Sequence, residues 1–223
     1  MKYQTTLSRI VELQSHTVIR KLTETQEEYE WLEALIEDTK PKTSSLQKKH
    51  YLIAAPLRYP LPIPPRFAAR FRPPYFKNVF CGTETDQTSY YEYAYHWMLQ
   101  RVHLKNTSHT PEPRTLFHVK FLDAHCLDLR RHPKMTKIMD RHRYAASHDF
   151  VETHPDLTSI LYPSCRDPQH GNCLATFSPD TLGNKPTHST TLHFIYHQKN
   201  QECVIENLMN ETRVSILWKS VFN

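Results

Sequence analysis

Residues 69–96 read ARFRPPYFKNVFCGTETDQTSYYEYAYH, and this stretch decides the fold. Pro73 and Pro74 bar its start from a helix or a central strand, because proline has no backbone donor. Asn78–Cys81 reads as a short strand ending at Gly82. Thr85 caps a helix that runs to about Arg101. Tyr91, Ala94, Tyr95 and Met98 form its apolar stripe. Thr88, Glu92 and His96 fall on a second line at i, i+4 spacing, which sets a carboxylate one turn from an imidazole on the flank of a buried helix.

Working upstream, residues 56–74 hold Pro56, Pro60, Pro62, Pro64, Pro65, Pro73 and Pro74, interleaved with Arg58, Arg66, Arg70 and Arg72. The expectation is an extended, semi-rigid loop. Arginines on a stiff loop suit an anionic ligand, since little order remains to be lost on binding. Residues 5–39 read as helical: Thr25-Gln26-Glu27-Glu28 is a capping box, Trp31, Leu32, Leu35 and Ile36 follow at helical spacing, and Lys40-Pro41 closes the element. Downstream, 115–122 is a two-faced strand, with Phe117, Val119 and Phe121 opposed to Leu116 and His118. A basic helix is expected at 133–142, and strands at 159–162, 173–177, 190–198 and 202–208, the last two joined by a turn at Lys199-Asn200. Helices first and antiparallel strands late favour an α+β fold, a mixed and largely antiparallel sheet flanked by helices. The expected division is an N-terminal helical extension, 1–50, and a main domain, 51–223.

Composition narrows the function classes. The chain has 223 residues, 39% hydrophobic and 23% charged, an ordinary globular balance. No apolar run approaches the ~20 residues of a membrane helix. Five irregularly spaced cysteines and no apolar leader fit reduced thiols and a cytoplasmic location. A net charge of +5 is compatible with an anionic cofactor, an acidic partner or nucleic acid. Three glycines are too few for the glycine fingerprint of a doubly wound dinucleotide fold, and no phosphate-cradling Gly-Lys loop is present. Cys165, His170 and Cys173 match no common zinc spacing, so no metal is expected. Arg130-Arg131-His132-Pro133-Lys134, with Lys137, Arg141 and Arg143, reads as a solvated basic face; an acidic partner surface or nucleic acid is the sharper alternative. No stretch reads as a basic-aromatic platform for a single strand, so direct nucleic-acid binding is not expected.

A second stretch, LYPSCRDPQHGNCLATFSP at 161–179, places Ser164 in a Tyr-Pro-Ser turn. Arg70-Phe71, Glu92 in Thr88-Ser89-Tyr90-Tyr91-Glu92, and Ser164 followed by Arg166-Asp167-Pro168 together resemble the RES domain family, named for its arginine, glutamate and serine. The lead-in Leu52-Ile53-Ala54-Ala55-Pro56-Leu57-Arg58-Tyr59-Pro60 resembles that of one subgroup. The resemblance implies a fold similar to that of ADP-ribosyltransferase toxins. It also implies an NAD-degrading toxin of a toxin–antitoxin pair, with Arg70, Glu92 and Ser164 as catalytic residues and Arg58, Arg70, Arg72, Cys81 and Ser164 around the dinucleotide. Inorganic phosphate is an implied co-substrate, which would make the protein an NAD phosphorylase; water would make it an NAD glycohydrolase. The implied partner is a cognate helix-turn-helix antitoxin, in a complex that leaves room for a homo-oligomer.

The chemistry needs these residue types. Nicotinamide leaves a positively charged N-glycoside as a neutral molecule, so no general acid is required. A carboxylate can stabilise the oxocarbenium-like ribose that develops, and Glu92 is the candidate. A planar bidentate cation suits the pyrophosphate, and Arg70 supplies one. Ser164 can fix a phosphate or a ribose hydroxyl; it has no histidine–carboxylate partner that would make it a nucleophile. Two departures from the family stand out: Cys81 where an aromatic, commonly tyrosine, is usual, and Tyr91 where a small residue is usual. They leave open two other readings, transfer of ADP-ribose to a protein or small molecule, and a catalytically weakened nucleotide-binding or regulatory module.

Overall fold

The computed structural model describes residues 1–12, 23–38, 46–58, 68–104 and 110–222. Lys40-Pro41 and the proline-rich run from Pro60 to Arg66 lie outside them. Among the described residues, nine strands form one sheet in the order β4-β5-β6-β2-β1-β3-β7-β8-β9. They span Tyr3–Glu12 (β1), Phe80–Thr83 (β2), Glu112–Asp123 (β3), Leu127–Asp128 (β4), Ser159–Pro163 (β5), Asn172–Thr176 (β6), His188–His197 (β7), Glu202–Asn207 (β8) and Thr212–Leu217 (β9). β4 and β5 pair in parallel and all other neighbours antiparallel. The helices are Gln26–Asp38 (α1), Tyr51–Arg58 (α2), Asp86–Leu99 (α3), Met135–Ile138 (α4), Ala145–Glu152 (α5) and Trp218–Phe222 (α6). The architecture is the expected α+β one, a mixed and largely antiparallel sheet with helices on both faces.

Both faces of the sheet are covered. On one, α3 and α6 pack on Leu116, Leu192, Phe194, Tyr196, Ile205 and Ile216. On the other, Leu52 and Ile53 of α2 pack on Leu7, Phe80, Phe117, Val119 and Phe121. β3 divides its side chains between the two, as the two-faced reading required. A third cluster joins Phe71 and α4 and α5 residues to Ile160, Tyr162, Cys173 and Ala175. Burying every second residue on each face is what commits these short apolar runs to strands.

Three expectations are corrected. Residues 5–12 are not helical but belong to β1, an interior strand paired with β3 from Tyr3↔Asp123 to Glu12↔Arg114. Leu7, Ile10 and Val11 mimic a helical stripe, yet Leu7 and Ile10 enter cores on opposite faces of the sheet. The helix of this region is α1, where the capping box forms as read: Thr25 Oγ1 accepts from Glu28 N at 3.1 Å and Glu28 Oε2 from Thr25 N at 3.3 Å. Second, Pro56 lies inside α2 rather than in an extended loop. It falls in the last turn and removes one donor, while burial of Leu52, Ile53 and Ala54 holds the short helix. Third, the basic helix of 133–142 is only the single turn of α4; α5 and β9 went unread.

Candidate active site

The β1–β2 ladder is nearly absent. It has one register pair, Ser8↔Thr83, after which the strands part. A cleft of about 320 Å³ opens at this fork. Arg9 and Ile10 line it from β1, Cys81 and Gly82 from β2, Ala69 and Arg72 from the preceding loop, Tyr162 and Cys173 from β5 and β6, and Glu92, Tyr93 and His96 from α3.

α3 starts where the sequence places it. Thr85 has extended backbone and its Oγ1 accepts from Thr88 N at 3.1 Å. Thr88, on the Glu92–His96 line, donates its hydroxyl to Asp167 Oδ2 at 2.8 Å. That bond ties α3 to the loop holding Ser164. The loop approaches so closely that a Cβ on Gly171 would stand 2.1 Å from Thr88 Oγ1 and 2.8 Å from Asp167 Oδ2. Only glycine fits there.

Ser164, 1% exposed, organises the loop through its hydroxyl. The oxygen accepts from Arg166 N at 3.1 Å and Asp167 N at 2.9 Å, and donates to Glu92 Oε1 at 2.5 Å. Two predicted site residues, distant in sequence, are thus in direct contact. Arg166 is buried with its guanidinium 3.4 Å over the Tyr95 ring, donating to the carbonyls of Arg141 at 2.6 Å and Val221 at 3.2 Å. It fastens the serine loop to the C-terminal helix. His96 stands at the cleft mouth, open to solvent on one side. Packing on its other side pushes its pKa down, Glu92 opposes this, and the Arg166 and Arg70 cations add to the fall.

The predicted arginines are distributed differently. Residues 69–72 form a tight turn, closed by Ala69 N–Arg72 O at 3.0 Å and Arg72 N–Ala69 O at 2.9 Å. Phe71 at its tip is buried edge-on against Tyr162, with ring centroids 4.8 Å apart. Arg72 lines the cleft. Arg70 turns to the carbonyls of Asp140 at 2.6 Å and Ile138 at 3.3 Å, and lies 4.8 Å over the Tyr144 ring. Arg58 ends α2, two residues beyond Pro56, which lines the cleft. Cys81 lies within β2; burial raises its thiol pKa, while Arg9 and Arg72 oppose that rise. Among the described residues, no group of three or more His, Cys, Asp or Glu side chains could hold a metal ion. No described helix is long and apolar enough to cross a membrane.

Sequence reasoning missed Arg9, Tyr93 and Tyr162. Tyr162 follows an apolar run and reads as core, and it is only 9% exposed. Tyr93, next to Glu92, accepts from Arg114 Nε at 2.7 Å. Its adjacency to Glu92 was the signal available. Arg9 was hidden by the misreading of β1.

A family model described as the RES domain matches residues 43–196. No curated protein matches the chain. Among solved structures, a chain of the crystal structure of the M. tuberculosis MbcT-MbcA toxin-antitoxin complex is similar, at 12% identity and a TM-score of 0.48, with 86% of each chain covered.

Proposed function

Since the chain belongs to the RES domain family, we propose that it degrades NAD by breaking the bond between nicotinamide and ribose, as the toxin of a cytoplasmic toxin–antitoxin pair. The observation that carries this reading is the 2.5 Å hydrogen bond from Ser164 Oγ to Glu92 Oε1, with Glu92 lining the cleft. A carboxylate so held is oriented before substrate arrives, which is the requirement for stabilising a short-lived cation.

The bond from ribose C1 to the pyridinium nitrogen breaks and its electron pair returns to the ring, so neutral nicotinamide leaves. Glu92 faces the positive charge that develops on the ribose. An oxygen of inorganic phosphate then bonds to C1, giving ADP-ribose phosphate. Water in the same place gives ADP-ribose and a proton. Ser164 acts by positioning Glu92. Arg70 orders the turn that sets Phe71 against Tyr162. Tyr162 and Tyr93 supply aromatic surface in the cleft that Cys81 cannot. A cognate helix-turn-helix antitoxin is the partner this reading calls for.

The test is nicotinamide release from NAD by the purified protein, with and without inorganic phosphate, with products resolved. Phosphate-dependent release identifies a phosphorylase, and release in water alone a glycohydrolase. Folded protein, free of antitoxin, that releases nothing in either buffer sinks the proposal.

A further inference from the structure

Two surfaces outside the cleft are uncovered and opposite in charge. The first is α1. Its thirteen residues include Glu27, Glu28, Glu30, Glu33, Glu37 and Asp38 and no lysine or arginine. Trp31 is 66% exposed and Leu35 47%. Glu27, Trp31 and Leu35 stand at i, i+4 and i+8, so a carboxylate and two large apolar side chains share one face. Among the described residues, none from α1 enters any of the three cores. A helix this short is marginal in water by itself, even with its capping box and the bond from Gln26 Nε2 to Glu30 Oε1 at 2.9 Å. Tryptophan is among the side chains that most often anchor a protein interface.

The second surface is a groove at α4 and α5, about 720 Å³ in volume and sharing no residue with the cleft. Ile138 and Phe150 form its buried floor. The Phe150 ring lies between the rings of His132, 5.4 Å away, and His154, 4.5 Å away. Lys134 and Lys137 stand exposed at the rim. Among the described residues neither pairs with a carboxylate, whereas Arg130, beyond the groove, is held by Asp128 at 2.9 Å. Asp149 is the one carboxylate in the lining.

We propose that α1 of one copy of this chain docks in the α4–α5 groove of a second copy, and that the reciprocal contact closes a two-fold dimer. Trp31 and Leu35 cover the apolar floor, and Glu27 and its neighbouring carboxylates meet Lys134 and Lys137. Within a single chain Trp31 is left in solvent and no α1 residue lines the groove, so the two faces are satisfied between chains. Two identical contacts about a two-fold axis leave neither surface free for a third copy. The tryptophan supplies most of the affinity, and the charges set partner and register.

Sedimentation velocity on the full-length protein tests this. The wild type should be a dimer at micromolar concentration, and the dimer should weaken as salt rises. Trp31→Ala should raise the dimer dissociation constant about thirtyfold or more, and Lys134→Glu combined with Lys137→Glu should do the same. Neither change touches a core or the cleft, so both should keep the wild-type melting temperature. Mixing the two variants is the decisive step. The first keeps an intact groove and the second an intact helix, so each alone should be monomeric while the mixture regains a heterodimer through one contact. A mixture no heavier than its components overturns the proposal. Variants as dimeric as wild type overturn it as well, because the dimer then uses another surface. So does a monomeric wild type, whether α1 docks on its own groove or Lys134 and Lys137 capture an acidic partner or nucleic acid. Should either variant lose its melting transition, Leu35→Ala or Lys137→Gln replaces it, and an unweakened dimer there overturns the assignment.

Discussion

The two halves of the sheet follow different rules. From β1 through β3, β7, β8 and β9 the strands are six to twelve residues long, and β1 pairs with β3 along its whole length, from Tyr3 to Glu12. From β4 through β5, β6 and β2 the strands are short, and β2 meets β1 at a single pair. Long ladders over aromatic cores satisfy backbone groups and supply stability. Short ladders leave strand ends and loops near one another, where the 69–72 turn, β5, β6 and the fork line a cleft and the Ser164 loop reaches it through Glu92. α3 belongs to both halves. Trp97 and Met98 face the aromatic core, while Thr88 and Glu92 face the serine loop.

If that division holds, substitutions should separate by half. Phe194→Ala, in the fully buried ring packed edge-on against Tyr93 and Trp97, should cost about 3–5 kcal/mol of unfolding free energy. Urea denaturation measures it, and a loss under about 1 kcal/mol would deny the meander half its stabilising role. Glu92→Gln should lower nicotinamide release about 10²–10³-fold while the melting temperature stays within a few degrees. A variant that keeps its activity removes Glu92 from the mechanism. Gly171→Ala should affect both properties, since its Cβ cannot coexist with Thr88 Oγ1. About 1–3 kcal/mol of stability is expected to go, together with part of kcat, as the serine loop shifts from Glu92. Wild-type kinetics in this variant would show that the loop does not position the carboxylate.

Legibility follows the same line. The cap at Thr85 and the helix behind it could be read because both signals are local: a hydroxyl at the boundary and apolar spacing after it. β3, β7 and β8 could be read from alternation and a turn, whereas β9 was not. β1 could not, because its partners in β3 lie about a hundred positions away and its apolar residues split between two cores. Losing β1 meant losing Arg9, and with it one wall of the cleft. Glu92 and Ser164 were singled out by motif, but their contact is tertiary. Nothing local in Tyr-Pro-Ser announces that the hydroxyl caps its own loop and holds a distant carboxylate. Arg70 was found the same way, and its bonds to the carbonyls of a chain segment seventy positions on could not be read from the motif.

The smallest expected effect concerns the joint between the halves. Asp123 ends β3 and is 6% exposed; it accepts from Ser159 Oγ at 2.5 Å, Thr158 Oγ1 at 2.6 Å and His125 N at 2.8 Å. It thus binds the end of the long-ladder half to the start of β5. Burial alone would raise its pKa, but the Ser159 and Thr158 hydroxyls and the His125 amide outweigh it and hold the carboxyl below its ordinary value. A pKa depressed in the folded state means stability that is fully present above the unfolded value, ~3.9, and lost as pH falls through the folded value. Asp123→Asn keeps the shape and one acceptor but cannot ionise. It should cost about 1 kcal/mol near pH 7, and the difference from wild type should shrink as pH falls below about 4. Urea unfolding across that range measures it. A constant difference at every pH would mean that the joint is held by shape rather than charge.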